Sequence, residues 1–161
     1  MTSREERAVF RGVPPSEHEK WESALLRLIQ RPRTRKELYV KLRQRGCPEA
    51  TARDLLHRFQ QMGYIDDRTY ALLYLDSKKN YGLRRLRDDL RARGVSGDDI
   101  DAACDECEID EVQRAFNVAQ PWNGRPGITP DKLRARLLRR GFGPATVDEA
   151  LERLNDAGDP L

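Results

Sequence analysis

Leucines one helical turn apart mark the chain at three places: Leu38 and Leu42, Leu86 and Leu90, and Leu133 and Leu137. Side chains at i and i+4 share a helix face, so each pair predicts a short helix with one buried stripe. One turn beyond each pair stands a glycine, in Arg45-Gly46-Cys47, Arg93-Gly94-Val95 and Arg140-Gly141-Phe142. These glycines lie 48 and 47 residues apart, which defines a repeat of that period. A glycine just past a helix takes a left-handed conformation and ends it, and the apolar residue that follows folds back onto the last turn. Cys47, Val95 and Phe142 are therefore assigned to packing.

A further helix is predicted after each glycine. Its apolar positions are Ala52, Leu55, Leu56 and Phe59 in the first copy. They are Ile100, Ala103, Cys104 and Cys107 in the second, and Val147, Ala150, Leu151 and Leu154 in the third. Pro48 and Pro144 suit first-turn positions, and Ser96 with Asp99 forms a capping pair. Another helix precedes each leucine pair. It carries Trp21, Leu25, Leu28 and Ile29, then Tyr70, Leu73, Tyr74 and Leu75, then Val112, Ala115, Phe116 and Ala119. Ser16 with Glu19, and Thr34 with Glu37, read as capping boxes at two helix starts.

The unit is thus three helices, and the expected fold is all-α, with tandem three-helix repeats stacked as an elongated, curved array. The expected divisions are a loose N-terminal arm over 1–15, repeats over 16–63, 64–110 and 111–157, and a Pro/Gly-rich connector at 121–130 within the last repeat. That connector, Pro121 to Pro130, contains three prolines and two glycines and cannot continue a helix. Gly63-Tyr64-Ile65-Asp66-Asp67 ends one copy and opens the next, and Tyr81-Gly82 breaks the second copy between its first two helices.

Composition narrows the picture further. Charged residues make up 35% of the 161 and hydrophobic ones 38%, so the core must be lean, which suits thin helical layers. The three cysteines are too few and of the wrong parity for a disulfide framework. Cys104 and Cys107 have no second cysteine pair, and the only histidines, His18 and His57, are remote in sequence, so no metal site is expected. Met1 to Arg11 lacks the apolar centre of a signal peptide and no run is long enough to span a bilayer. A soluble cytoplasmic protein without membrane association is expected.

The 30 basic residues nearly balance the 27 acidic ones, for a net charge of +3, so clustering carries more information than the total. The second helix of every copy is the basic one. Candidate phosphate or filament contacts are Arg33, Arg35, Lys36, Lys41 and Arg43, then Lys78, Lys79, Arg84, Arg85, Arg87 and Arg91, then Lys132, Arg134, Arg136 and Arg139. If the copies stack in register, these side chains form a positive stripe that holds phosphates by charge and counterion release. The same residues also suit a solvated helix face. The third helix of the middle copy is acidic instead, and Asp98, Asp101, Asp105 and Glu108 are candidates for docking a basic protein. Helix-start electrostatics and solubility explain them equally well.

The sequence contains no glycine-rich phosphate loop, nucleophile elbow or histidine-carboxylate cluster, so no catalytic residue and no cofactor is expected, and the chain reads as a non-enzyme. Asp66-Asp67 at a helix start is explained by capping. Tyr39, Tyr64, Tyr70, Tyr74 and Tyr81 could stack on bases, although tyrosine on an apolar helix face is more often part of a core.

The segment Gly63-Tyr64-Ile65-Asp66-Asp67-Arg68-Thr69-Tyr70-Ala71 resembles the Gly-aromatic-aliphatic-Asp-Asp signature of the RecX family of bacterial recombination regulators. Tyr81-Gly82, Leu86, Leu90 and Arg93-Gly94-Val95 resemble that family's next motif. The resemblance extends over roughly residues 20–155 and is weaker in the third copy, where the long connector departs from a simple helical link. It implies tandem three-helix repeats in a curved module that binds RecA recombinase, particularly its filament on single-stranded DNA, with free RecA monomer and duplex DNA as further candidate partners. It further implies inhibition of ATP hydrolysis and strand exchange by a rigid arc lying in the filament groove and touching more than one RecA subunit, with DNA phosphates as a further candidate contact. Such bridging either resists the subunit motions of turnover or promotes filament disassembly. A stand-alone helix-turn-helix DNA-binding protein is the alternative, and would prefer one duplex over others at fixed salt. A pure protein scaffold would retain no DNA at low salt.

Overall fold

The computed structural model describes residues 16–158. The arm expected over 1–15 lies outside the described residues. Among them are nine α-helices and one short 3-10 turn, with no strand. The chain divides into two compact units at Asp66/Asp67.

The first unit holds α1 (Glu17–Leu28), α2 (Arg35–Gln44) and α3 (Glu49–Gln61). Trp21, Leu25 and Leu28 of α1 close over Leu38 and Leu42 of α2 and over Leu55, Leu56 and Phe59 of α3 in a single core. Ser16 and Glu19 form the reciprocal capping box at the start of α1. The Thr34 hydroxyl, wholly buried, accepts from the Glu37 N–H at the start of α2. Pro48 sits one residue earlier than expected: it is the N-cap of α3, with extended ψ, and Glu49 is the first helical residue.

The second unit holds α4 (Asp67–Ser77), α5 (Leu83–Ala92), α6 (Gly97–Cys107), α7 (Glu111–Ala119), α8 (Pro130–Arg139) and α9 (Pro144–Ala157). Its helices build two cores. Ala71, Leu75, Leu86, Leu90, Val95, Ile100 and Ala103 form one, with Cys104 and Cys107 partly buried against it. Ala115, Leu133, Leu137, Phe142, Val147, Ala150 and Leu154 form the other. The connector before α8 opens with the 3-10 turn Gln120–Trp122, and both Trp122 and Ile128 pack onto the second of these cores.

Each glycine stop closes its helix with the same two bonds. After α5 the Val95 N–H reaches the Leu90 carbonyl at 3.0 Å and the Gly94 N–H reaches Arg91 at 2.9 Å, with Gly94 at φ +90°. Cys47 to Leu42 and Phe142 to Leu137 repeat the longer bond at 3.0 and 3.2 Å. The apolar residue after each glycine is buried, which gives all three stops the geometry of a Schellman cap.

One sequence expectation is corrected in α4. Leu73 is 58% exposed, and the buried face is Ala71 and Leu75, with Leu72 partly covered. Residues 70–75 read Tyr-Ala-Leu-Leu-Tyr-Leu, an uninterrupted apolar run, so no polar position marks which side faces water.

The two cores of the second unit meet at a close contact between glycines. A Cβ on Gly82 would lie 2.3 Å from the carbonyl carbon and oxygen of Gly141, and one on Gly141 would lie 2.3 Å from the Cβ of Arg85. The Gly82 N–H donates to the Arg140 carbonyl at 2.9 Å. Since only glycine fits at position 82, α5 begins with an N-cap that has no side chain. Glu111 of α7 supplies the missing acceptor, taking the Leu83 N–H at 2.7 Å. One turn further along α7, Arg114 donates to the Leu75 carbonyl near the end of α4 at 3.1 Å. A carboxylate thus meets a helix N-terminus and a guanidinium meets a C-terminus, the arrangement that helix dipoles favour. We expect Glu111→Ala to cost about 1 kcal/mol, the usual value of a lost N-cap acceptor. Urea denaturation should show most of that loss restored by Glu111→Gln, which keeps an oxygen in place. Equal losses in both variants would mean that the carboxylate acts by charge alone.

Candidate nucleic-acid and filament interface

The contact between Gly82 and Gly141 brings the end of α8 against the start of α5, so two basic helices adjoin tail to head. Tyr81 lies at this joint. The Arg85 guanidinium stacks on its ring at 4.4 Å and that of Arg140 at 5.5 Å, and Arg140 also donates to the Asn80 carbonyl at 3.3 Å. Arg84 and Arg139 each stand two residues from a junction glycine. Both are exposed, and neither forms an ion pair among the described residues.

The remaining candidates of this unit are largely committed to partners within the fold. Arg87 pairs with Asp101 of α6 at 2.7 Å, and that bond holds its guanidinium above the ordinary pKa. Arg91 pairs with Asp88 at 3.3 Å, Lys79 with Asp76 at 3.7 Å, and Arg134 with Asp148. Lys132 donates to the Gly127 carbonyl at 2.8 Å, bracing the connector. The Arg136 guanidinium lies 3.7 Å from the Trp122 ring centroid, with Arg125 stacked at 4.6 Å. Lys78 lies 5.9 Å from the Tyr74 ring, whose hydroxyl donates to Asp89 at 3.0 Å. Burial and that hydrogen bond push the Tyr74 phenol up.

In the first unit, Arg33 donates to the Leu28 carbonyl and so closes the end of α1. Arg35 donates to Gln60, and Arg43 to the Cys47 carbonyl at 2.8 Å. Lys36 is exposed and Lys41 half-buried along α2. Tyr64 is 60% exposed, unlike the half-buried tyrosines of the second unit.

The acidic candidates divide in the same way. Asp98 lies in the first turn of α6, where negative charge suits the helix start. Asp101 is spent on Arg87, and Asp105 is exposed on the same helix. Glu108 closes α6 in a left-handed conformation at φ 46°. The sequence marks Arg140 only as one more basic residue at the end of its helix and gives Arg114 and Trp122 no role. The bonds of Arg140 to Asn80 and of Arg114 to Leu75, and the stacking of Arg136 on Trp122, arise only where separate elements pack together.

Burial raises the thiol pKa of Cys47, Cys104 and Cys107, which keeps them protonated and poorly nucleophilic. Among the described residues no group of three or more His, Cys, Asp or Glu side chains is placed to hold a metal ion. Nor is any described helix long and apolar enough to cross a membrane.

Comparison with known proteins agrees with this architecture. The first three-helix domain of RecX matches residues 21–59, and the second matches residues 66–103. A regulatory protein RecX of Streptomyces coelicolor is 31% identical over 157 residues, covering 88% of this chain and 84% of its own. One from Thermus thermophilus is 34% identical over 139 residues, covering 84% and 92%. The crystal structure of RecX from Lactobacillus salivarius superposes with a TM-score of 0.75 at 20% identity, covering 86% of this chain and 96% of that one, a likeness of fold. With two matching domains and relatives above 30% identity along most of its length, this chain belongs to the RecX family of regulatory proteins.

Proposed function

We propose that the chain is a non-catalytic cytoplasmic regulator that binds a RecA recombinase, above all its filament on single-stranded DNA, and restrains ATP hydrolysis and strand exchange. Membership of a family of regulatory proteins supports the regulatory part of this reading. The observation that carries the DNA and filament part is the abutment of α5 and α8. It presents exposed Arg84 and Arg139 beside a joint too tight to flex freely. Positive side chains fixed on a rigid body engage a polyanionic filament at several points, and after the first contact the others become effectively intramolecular. Bridging neighbouring subunits in this way opposes the motions that turnover requires.

The decisive measurement is RecA's DNA-dependent ATPase, with the chain titrated toward one copy per few recombinase subunits. Hydrolysis should fall in proportion to filament-bound protein. Undiminished hydrolysis together with no co-sedimentation with filaments would refute the assignment. Binding to one duplex sequence without recombinase would favour a stand-alone DNA reader instead.

A further inference from the structure

A second basic feature lies in the first unit. A cleft of about 330 Å³ is lined by Arg27, Leu28, Gln30, Arg31, Arg33 and Arg45. Four of the six are arginines and none is acidic. Its volume falls at the small end of the range that small-molecule sites occupy.

The ordinary explanation is that arginines gather where helices end. Arg27 lies in the last turn of α1, Arg33 donates to the Leu28 carbonyl, and Arg45 is the C-cap of α2. A helix C-terminus offers only about half a negative charge, so two ends together supply roughly one. Four guanidinium groups exceed that by about three positive charges, and no carboxylate in the lining offsets the excess. The bond to Leu28 holds the half-buried Arg33 in position, whereas Arg27, Arg31 and Arg45 are exposed. Guanidinium forks donate in pairs to phosphate oxygens.

We propose that this cleft is an oligophosphate site, which seats successive phosphates of a nucleic-acid strand or the phosphate chain of a free nucleotide. Arg33 forms its fixed wall, and Arg27, Arg31 and Arg45 close on the anion from the solvent side.

The test uses the full chain and no recombinase, so a failed RecA assay leaves this proposal standing. Wild type and Arg31→Gln/Arg45→Gln are titrated with a labelled oligothymidylate, with inorganic tripolyphosphate, and with a glutamate peptide of matched charge. Circular dichroism checks that helicity is retained. Loss of two phosphate contacts should flatten the salt dependence of oligonucleotide binding by about 1.4 log units per decade, or roughly 25-fold in affinity at 0.1 M salt. Tripolyphosphate that competes with the strand in wild type, but not in the variant, also supports the site and identifies free phosphate chains as a source. Loss confined to the oligonucleotide supports it with the strand as the source. Affinities for both phosphate probes that change less than about twofold, or a stronger effect of the variant on the glutamate peptide, would overturn it.

Discussion

Gly141→Ala is expected to destabilise the chain by on the order of 3 kcal/mol, lowering Tm by roughly 10 °C. Two effects act together. Gly141 has φ +92°, outside the region an alanine occupies comfortably, which by itself costs about 1–2 kcal/mol. The new methyl would also sit 2.3 Å from the Arg85 Cβ and 2.8 Å from its amide nitrogen, so the start of α5 would have to retreat. Gly82→Ala should cause a comparable loss by sterics alone, because its methyl would meet the Gly141 carbonyl and the Phe142 nitrogen, 2.3 and 2.4 Å away. Backbone atoms cannot swing aside as a side-chain tip can. Gly97→Ala is the control: nothing lies within 4 Å of its added Cβ, and it stands at the start of α6, where alanine should be neutral or stabilising by up to about 1 kcal/mol. Denaturation midpoints for Gly82→Ala and Gly141→Ala within about 0.5 kcal/mol of wild type would mean that the two cores are not joined as described.

The second large effect concerns binding. Arg84→Glu/Arg139→Glu should weaken single-stranded DNA or filament binding by at least roughly 25-fold at 0.1 M salt, since at least two phosphate contacts are lost and repulsion is added. Tm should barely move, as both side chains are exposed and free of ion pairs among the described residues. Arg87→Glu should behave differently. It places a carboxylate beside Asp101 in place of the pair at 2.7 Å, so it should lower stability along with affinity. Equal losses of affinity and of Tm in Arg84→Glu/Arg139→Glu would indicate a structural role for these arginines. Unchanged affinity would remove the joint from the proposed interface.

Much of the local architecture was legible in the residues themselves. A leucine pair, a glycine one turn later and an apolar residue after that encode a helix stop whose hydrogen bonds all fall within six residues, so Gly46, Gly94 and Gly141 could be assigned without tertiary information. Ser16 with Glu19 and Ser96 with Asp99 are equally local. The exposed Leu73 was not legible, because an unbroken apolar run has no phase and only the packed neighbours of α4 choose its inner side.

Charge shows the same boundary between local and tertiary information. The sequence by itself determined that the second helix of each repeat is basic and that α6 is acidic, since composition along a helix needs no partner to be read. Only the tertiary structure decided which charges stay available to a ligand. Arg87 is spent on Asp101 and Arg134 on Asp148, while Arg84 and Arg139 remain exposed at the joint. The pairs Arg87–Asp101 and Arg134–Asp148 both bridge neighbouring helices, and Gly82 with Gly141 bridges two repeats. Contacts of this kind depend on the distance and angle at which helices pack, and no periodicity within one helix carries that information.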